Sequence, residues 1–108
     1  MTDEFLQLLG LARRAGRLSM GHDMAMESIM KGQSFLVIIA SSSSERLKNE
    51  FIRAAQAKGG KPPVLPVPYT IDVIHKAVGY KAGVLSVNDA GFAARFIQML
   101  SVKEEIDT

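Results

Sequence analysis

The stretch Phe35-Leu36-Val37-Ile38-Ile39-Ala40 is a continuous apolar run that is rich in β-branched residues. Such a run is typical of a strand buried on both faces of its sheet, and burial on both faces requires helices on both sides. The sequence therefore predicts a layered α/β fold with this strand inside the sheet.

Two helices and a short strand are predicted before this run. Apolar residues at helical spacing predict a helix over residues 3–15, with Thr2 as its N-cap and Gly16 as its end. Residues 17–20 are predicted to form a minor strand. A second helix over residues 22–30 then leads into the apolar run.

After the run, the pattern alternates between helices and strands. Ser42 and Glu45 have the spacing of a capping box, which predicts that a third helix begins there. A strand over residues 64–67 follows, and Pro66 favours an edge position because proline has no N–H to donate to a ladder. Thr70 is predicted to cap a short fourth helix.

The last predicted elements are a strand over residues 84–87 and a final helix capped by Asn88 or Asp89. This alternation predicts βαβ units with right-handed crossovers. We therefore expect an α/β fold, namely a three-layer α/β/α sandwich with a mixed sheet of about four strands. A chain of 108 residues has the length of one domain, which we place at residues 1–102, followed by an acidic tail at residues 103–108.

The composition excludes several classes of protein. No cysteine is present, which excludes a disulfide framework, a thiol nucleophile and a Cys-ligated metal site. No apolar run is long enough to span a membrane, and the acidic amino-terminal residues are unlike a secretory signal. The sequence therefore predicts a cytoplasmic protein without a membrane partner.

Charge is distributed unevenly along the chain. The net charge is +2, but residues 5–102 hold 12 of the 13 Lys and Arg residues and 6 of the 11 Asp and Glu residues. The resulting charge of +6 over this span is compatible with a polyanionic partner. An ordinary solubilising surface is the alternative.

The motifs of common enzymes are incomplete in this sequence. Gly16 and Gly21 have the spacing of a phosphate loop, but His22 and Asp23 stand where that loop needs Lys and Ser or Thr. The serines at 41–44 lack the glycines of a nucleophile elbow and are better explained by helix capping and a polar turn. The two histidines of the chain offer no metal-binding pair. We therefore predict no enzymatic activity, no cofactor, no metal and no small-molecule substrate.

Several features near the second predicted helix favour a ligand. Gly21 precedes that helix, where a phosphate or a base edge could approach the exposed N–H groups; a glycine that only shapes a tight turn is the alternative. The nearby methionines, at positions 20, 24, 26 and 30, are predicted mainly as core residues. Met24, in the first turn, would contact an apolar partner or a base if it is exposed.

Basic residues occur near two glycine turns, at Gly21 and at Gly79. These cations are Arg17, Lys31, Lys76 and Lys81, with Arg13 and Arg14 close by. If both turns lie at the same end of the sheet, the cations would ring one edge and attract phosphate. A solvated helix face is the alternative.

A series of short motifs occurs in a particular order along the chain. They are Leu9-Gly10-Leu11-Ala12-Arg13-Arg14-Ala15-Gly16-Arg17-Leu18 followed by Gly21, Lys31-Gly32-Gln33 before the apolar run, Val67-Pro68, Ala77-Val78-Gly79, and Asn88-Asp89-Ala90-Gly91-Phe92-Ala93. This series resembles the ribosomal protein L-seven-Ae family of kink-turn RNA-binding proteins, and most of all its small bacterial YlxQ-type branch. The resemblance covers residues 5–100 and implies an α/β/α sandwich.

The resemblance implies a first RNA contact in the turn after the first strand, where the family has Gly-x-Asn-Glu-x-x-Lys. In this chain the glycine is Gly21, and Asp23, Met24 and Glu27 replace the Asn, the Glu and the Lys. An ionised Asp23 accepts hydrogen bonds but donates none, and the Met24 thioether is only a weak acceptor. Glu27 places a negative charge where the family has a positive one. These changes weigh against kink-turn binding in particular.

The resemblance implies a second RNA contact in the loop at residues 79–83, after the fourth helix. There Tyr80 would stack on an unpaired base and Lys81 would meet a phosphate. We therefore predict a non-catalytic protein that binds ribosomal or other structured RNA, with the ribosome or transcription and translation factors as further partners. The residues predicted to bind RNA are Arg17, Gly21, His22, Asp23, Met24, Glu27, Lys31, Lys76, Tyr80 and Lys81.

The alternative function is a protein-interaction module on the same fold, in which RNA binding has been weakened or lost. An apolar patch would then consist of Met20, Met24 and Met26, and Glu27 would provide a specificity charge.

Overall fold

Five helices alternate with four strands in the computed structural model, which describes residues 3–107 and, of these, the side chains of residues 3–101. The elements follow in the order α1 (Glu4–Arg14), β1 (Leu18–Met20), α2 (His22–Met30), β2 (Leu36–Ile39), α3 (Glu45–Ala57), β3 (Val64–Pro66), α4 (Ile71–Val78), β4 (Val84–Val87) and α5 (Ala90–Asp107). The predicted alternation of helices and strands is therefore confirmed.

The strands form one mixed sheet in the order β1-β4-β2-β3. β2 pairs with β3 in parallel, and β4 pairs antiparallel with both β1 and β2. Every residue of β2 and of β4 is buried, which confirms an interior strand within the apolar run. Phe35, the first residue of that run, precedes β2 and is 47% exposed, so its predicted burial is wrong. β3, which carries Pro66, lies at the edge as predicted.

Alternate residues of β2 contribute to two separate apolar clusters, because successive side chains of a strand point to opposite faces. One cluster contains Leu36 and Ile38 together with residues of α1, α4 and α5. The other contains Val37 and Ile39 together with residues of α2 and α3, including the fully buried Phe51. Helices thus cover both faces of the sheet, and the predicted three-layer α/β/α sandwich is confirmed.

Two helices begin at caps other than those the sequence predicts. Asp3 caps α1 by accepting hydrogen bonds from two N–H groups of the first turn, whereas the predicted cap, Thr2, lies outside the described residues. Ser44, not Ser42, caps α3. The Ser42 hydroxyl oxygen instead accepts a hydrogen bond of 3.0 Å from the N–H of Ile71. No capping box forms, because Ser42 links the turn before α3 to α4.

The other helix boundaries agree more closely with the sequence. Thr70 caps α4 as predicted. Asp89 caps α5, because its Oδ1 accepts a hydrogen bond of 2.9 Å from an N–H of the first turn, while Asn88 has other partners. The backbone of α5 continues to Asp107, so the predicted acidic tail is helical that far, and Thr108 lies outside the described residues.

A chain of side-chain hydrogen bonds crosses the face of the sheet that α2 covers. The Asn88 amide joins Ser19, 2.8 Å from Nδ2, to Ser86, 2.6 Å from Oδ1. Ser19 lies 2.7 Å from Ser28, and Ser86 lies 2.7 Å from Ser34, each between hydroxyl oxygens. Ser86 and Ser28 are buried, so these bonds replace the hydration that burial removes. We call these residues the serine–asparagine chain.

Candidate nucleic-acid interface

Gly21 forms the turn between β1 and α2. Its φ of +89° is a conformation that residues with a side chain rarely adopt. The Gly21 N–H donates a hydrogen bond of 2.9 Å to the Val84 carbonyl, which fastens the turn to the start of β4. Gly21 is the N-cap of α2 and has no side chain with which to cap it, so the positive end of that helix is able to receive an external acceptor.

Tyr80 lies directly against this turn. It follows Gly79, whose left-handed conformation (φ +76°) ends α4. A Cβ atom placed on Gly21 would lie 3.8 Å from the Tyr80 hydroxyl oxygen and 3.9 Å from Cε1 of its ring. The turns at Gly21 and Gly79 therefore lie at the same end of the sheet. Tyr80 remains 47% exposed, and Lys81 next to it is exposed as well. We call Gly21, Tyr80 and Lys81 the Gly21–Tyr80 surface.

Gly83 anchors the loop that carries Tyr80. Its carbonyl oxygen accepts hydrogen bonds from the Ser43 hydroxyl at 2.7 Å and from the Ala40 N–H at 2.9 Å. A Cβ atom on Gly83 would lie only 2.6 Å from Ser43 Oγ, so glycine permits this close approach. The structure confirms that the serines at 41–44 form a polar turn, but the sequence gives no signal for a contact between residues 40 positions apart.

His22 contacts two carboxylates of the chain itself. Its Nδ1 lies 2.9 Å from Asp23 Oδ1, and its Nε2 lies 2.7 Å from Glu50 Oε2. The ring also packs edge-on against Phe51, with 5.5 Å between the ring centroids. The hydrogen bonds to Asp23 and then to Glu50 raise the pKa of His22 above its ordinary value of 6.5. The sequence does not indicate Glu50, which lies 28 positions from His22.

The other two family positions, Met24 and Glu27, lie on the exposed side of α2. Met24 is 54% exposed, so the prediction that it is mainly a core residue is wrong; it lies beside Ala25, which takes the buried position of this turn. Glu27 forms an ion pair with Lys31 one turn later. Lys31 therefore offsets the charge that Glu27 brings to this surface.

The remaining methionines do not extend Met24 into one apolar patch. Met20 is buried in the cluster beside α1, and Met26 packs partly buried in the cluster beside α3. Met30 is exposed, but it lies at the far end of α2. The predicted patch of Met20, Met24 and Met26 is therefore absent from the surface, because β1 and α2 direct these side chains to different clusters.

The predicted cations divide between the two ends of the sheet. Lys76, in the last turn of α4, and Lys81 are exposed at the end where Gly21 lies. Arg17 precedes β1 whereas Gly21 follows it, so Arg17 lies at the opposite end. Lys31 lies about 15 Å from Gly21 along α2. The prediction that these cations ring one edge is therefore wrong, because a strand or a helix separates Arg17 and Lys31 from Gly21.

The structure adds three further observations, on the phosphate-loop glycines, on metal-binding groups and on membrane-spanning helices. Gly16 and Gly21 do not form one loop, because β1 lies between them. Within the described part of the chain, no three His, Cys, Asp or Glu side chains are grouped so that they could hold a metal ion. None of the helices described is long and apolar enough to cross a membrane.

Comparison with known proteins finds similarity along most of the chain. The chain matches no protein-family model. It is 29% identical over 102 residues to the RNA-binding protein YlxQ of Bacillus subtilis (strain 168), which covers 90% of this chain and 95% of that protein.

Two solved structures share the fold. A protein of unknown function from Bacillus halodurans C superposes with a TM-score of 0.84 at 28% identity, over 93% of this chain and 99% of that chain. A 15.5kD RNA binding protein from Giardia lamblia superposes with a TM-score of 0.73 at 18% identity, over 94% and 92% of the two chains. At 18% identity the second likeness concerns the fold alone. The two structures therefore confirm the fold, and the likeness to YlxQ confirms the resemblance of this chain to the YlxQ-type proteins.

Proposed function

We propose that this chain is a non-catalytic protein that binds structured RNA in the cytoplasm through the Gly21–Tyr80 surface. The observation that carries the proposal is the position of the half-exposed Tyr80 ring against the Gly21 turn, at the start of α2. A base stacked on Tyr80 would have its phosphates beside the positive end of α2 and the Lys81 ammonium group. The similarity of the chain to the RNA-binding protein YlxQ of Bacillus subtilis supports RNA as the ligand.

This surface fits a bulge or loop in ribosomal RNA, or in another folded RNA, better than it fits a kink-turn recognised by the family's own contacts. The side chain of Asp23 is almost fully exposed, and Met24 is exposed beside it. Asp23 would accept hydrogen bonds from base amino groups, and Met24 would pack on a base face. Neither residue reproduces the Asn and Glu contacts of the family, so stacking and phosphate contacts take a larger share of the binding energy.

The first experiment is ultraviolet crosslinking in cells, followed by sequencing of the RNA that copurifies. We expect a sharp peak on one structured RNA, and the sequence under the peak would show whether a kink-turn is present. Crosslinks no stronger than those of an unrelated protein would refute RNA binding.

Binding of labelled RNA in vitro then tests the surface itself. Tyr80→Ala should weaken binding by about 1–3 kcal/mol, the usual contribution of one base stacked on an aromatic ring. Tyr80→Phe keeps the ring and should bind as the wild type does. Equal affinities of the Ala variant and the Phe variant would show that Tyr80 does not stack on RNA.

Lys81 tests the electrostatic part of the same surface. Lys81→Ala should lower affinity for all RNA sequences alike and reduce the salt slope of binding by about 1. Arg95→Ala is the matched control, because Arg95 is an exposed cation of α5. If both variants have the same salt slope, Lys81 makes no phosphate contact.

The alternative function, a protein-interaction module, is favoured by the exposure of Met24 and Met30 on α2. Salt dependence separates the two functions. RNA binding through about four phosphates predicts a log–log slope near −3, whereas an apolar contact through methionine responds little to salt. A partner that is lost on Met24→Ser and retained at high salt would favour the alternative.

A further inference from the structure

A groove on α3 continues the Gly21–Tyr80 surface on the side of His22. The groove has a volume of about 340 Å³ and is lined by Arg46, Glu50 and Arg53. The spacing of these residues puts them on one face of α3, with Glu50 between the two arginines. Within residues 3–101, neither guanidinium group has an ion-pair partner, and both arginines are exposed. We call these three residues the α3 groove.

The carboxylate of the α3 groove is already engaged by His22. Its Oε2 lies 2.7 Å from Nε2 of His22, while Nδ1 of the same ring lies 2.9 Å from Asp23. A neutral imidazole has one N–H and can donate to only one of these carboxylates. Two contacts of this length therefore need the imidazolium form, in which both ring nitrogens donate.

The charge beside the α3 groove depends on that proton. The charged groups that face His22 are Asp23 from α2 and Glu50 from α3, and Arg46 and Arg53 lie on either side of Glu50. Three cations then face two carboxylates, and the net charge of +1 falls to zero when His22 is neutral. A phosphate is attracted in the first state and loses that attraction in the second.

We propose that the α3 groove binds the phosphate backbone of the RNA that stacks on Tyr80, and that the proton on His22 controls how strongly it does so. The inference rests on the proposed function, since RNA is the ligand. Arg46 and Arg53 are about 10 Å apart along α3, which separates them enough to contact different phosphates. His22 directly follows Gly21, so a strand that leaves the Tyr80 ring reaches the groove across the start of α2.

The arginines are tested by the salt dependence of binding to two labelled probes, a bulged RNA hairpin and single-stranded poly(U). The double variant Arg46→Ala/Arg53→Ala should have a salt slope smaller by about 1.4, since each phosphate contact on a single strand contributes about 0.7. The matched control is Lys61→Ala/Arg95→Ala, which removes two exposed cations elsewhere. Equal slopes for the two double variants would overturn the proposal.

The role of the His22 proton is tested by measuring RNA affinity at constant ionic strength between about pH 6 and pH 8, where histidine titrates. The affinity of the wild type should fall several-fold as pH rises, and His22→Gln should flatten this dependence. Glu50→Gln should raise affinity at the upper pH, because it removes the carboxylate that repels phosphate once His22 is neutral. If the RNA affinity of His22→Gln depends on pH as that of the wild type does, the proposed control of binding by the His22 proton is wrong.

A failure of RNA binding and a failure of the α3 groove give different experimental results. If the wild type binds neither probe, the proposed function fails and the inference about α3 fails with it. If the wild type binds, and Tyr80→Ala weakens binding while the arginine double variant does not, only the α3 groove is wrong. Circular dichroism of each variant shows whether a loss of binding reflects a loss of fold.

Discussion

Gly83→Ala should destabilise the chain because the new methyl group collides with Ser43. A Cβ atom at position 83 would lie 2.6 Å from Ser43 Oγ, and 3.4 and 3.5 Å from methyl carbons of Leu47 and Ile71. The last two distances are ordinary van der Waals contacts, and Gly83 does not have a positive φ. The hydroxyl is therefore the obstacle. It must turn away and lose its hydrogen bond to the Gly83 carbonyl, at a net cost of about 1 kcal/mol.

A second substitution, at Ser43, isolates the free-energy cost of displacing the hydroxyl. Ser43→Ala removes the same hydrogen bond and should itself cost about 1 kcal/mol. In that background Gly83→Ala displaces no hydroxyl, and the loss of unfolded-chain freedom that accompanies Gly to Ala stabilises by about 0.4–1 kcal/mol. The same substitution should therefore destabilise the wild type by at most about 0.6 kcal/mol, but stabilise the Ser43→Ala variant by about 0.4–1 kcal/mol.

Urea denaturation followed by far-ultraviolet circular dichroism measures the free energy of unfolding of the wild type, of the two single variants and of the double variant. The coupling between the two sites should be about 1 kcal/mol. Ser42→Ala is the matched serine control, because Ser42 contacts the Ile71 N–H rather than Gly83, and its effect should add to that of Gly83→Ala. If Gly83→Ala has the same cost with and without Ser43, the hydroxyl is not the obstacle and the reasoning is refuted.

The core, the serine–asparagine chain and the histidine give three further expectations. Phe51→Ala should lower the free energy of unfolding by about 3–5 kcal/mol, because the ring is fully buried; a loss below about 1 kcal/mol in urea would contradict its place in the core. Asn88→Ala should lower Tm more than Ser28→Ala does, since it removes the hydrogen bonds of the amide to both Ser19 and Ser86, whereas Ser28→Ala removes only the bond to Ser19; equal calorimetric shifts would argue against the serine–asparagine chain. The ion pairs of His22 should stabilise the fold fully below pH 6.5 and lose that effect as pH rises through its raised pKa. His22→Gln should remove this pH dependence of Tm, and a parallel profile would exclude the effect.

The elements that the sequence predicts best are those whose burial decides their structure. β2 is a continuous apolar run, and the structure places it inside the sheet with every residue buried. Pro66 and Thr70 act locally, through a missing N–H and a side-chain cap, so the edge strand and the start of α4 were also predictable.

The caps of α1 and α3 were predicted less well, because several residues near each start carry a suitable oxygen. Ser42 and Ser44 are chemically equivalent as caps. The choice between them depends on Ile71, which engages the Ser42 hydroxyl from a distant part of the chain. A sequence pattern does not contain that contact.

In the candidate site, positions named by the family resemblance were predicted, whereas contacts between residues far apart in the sequence were not. Gly21 and Tyr80 were identified through the family resemblance, and the structure brings them together. Glu50 and Ser43 were missed, because their partners His22 and Gly83 lie 28 and 40 positions away. Arg17 was assigned to the wrong end of the sheet, since closeness in sequence to Gly21 does not account for the length of β1 between them.

The place of β4 in the sheet affects when the Gly21–Tyr80 surface can form during synthesis. β4 is the last strand in the chain, yet it lies between β1 and β2 and is the strand with which β1 pairs. A nascent chain that ends before Val84 therefore lacks the partner of β1 and the carbonyl that holds the Gly21 N–H. The Gly21–Tyr80 surface is therefore completed only after β4 has been synthesised, and a chain that ends before Val84 does not present it.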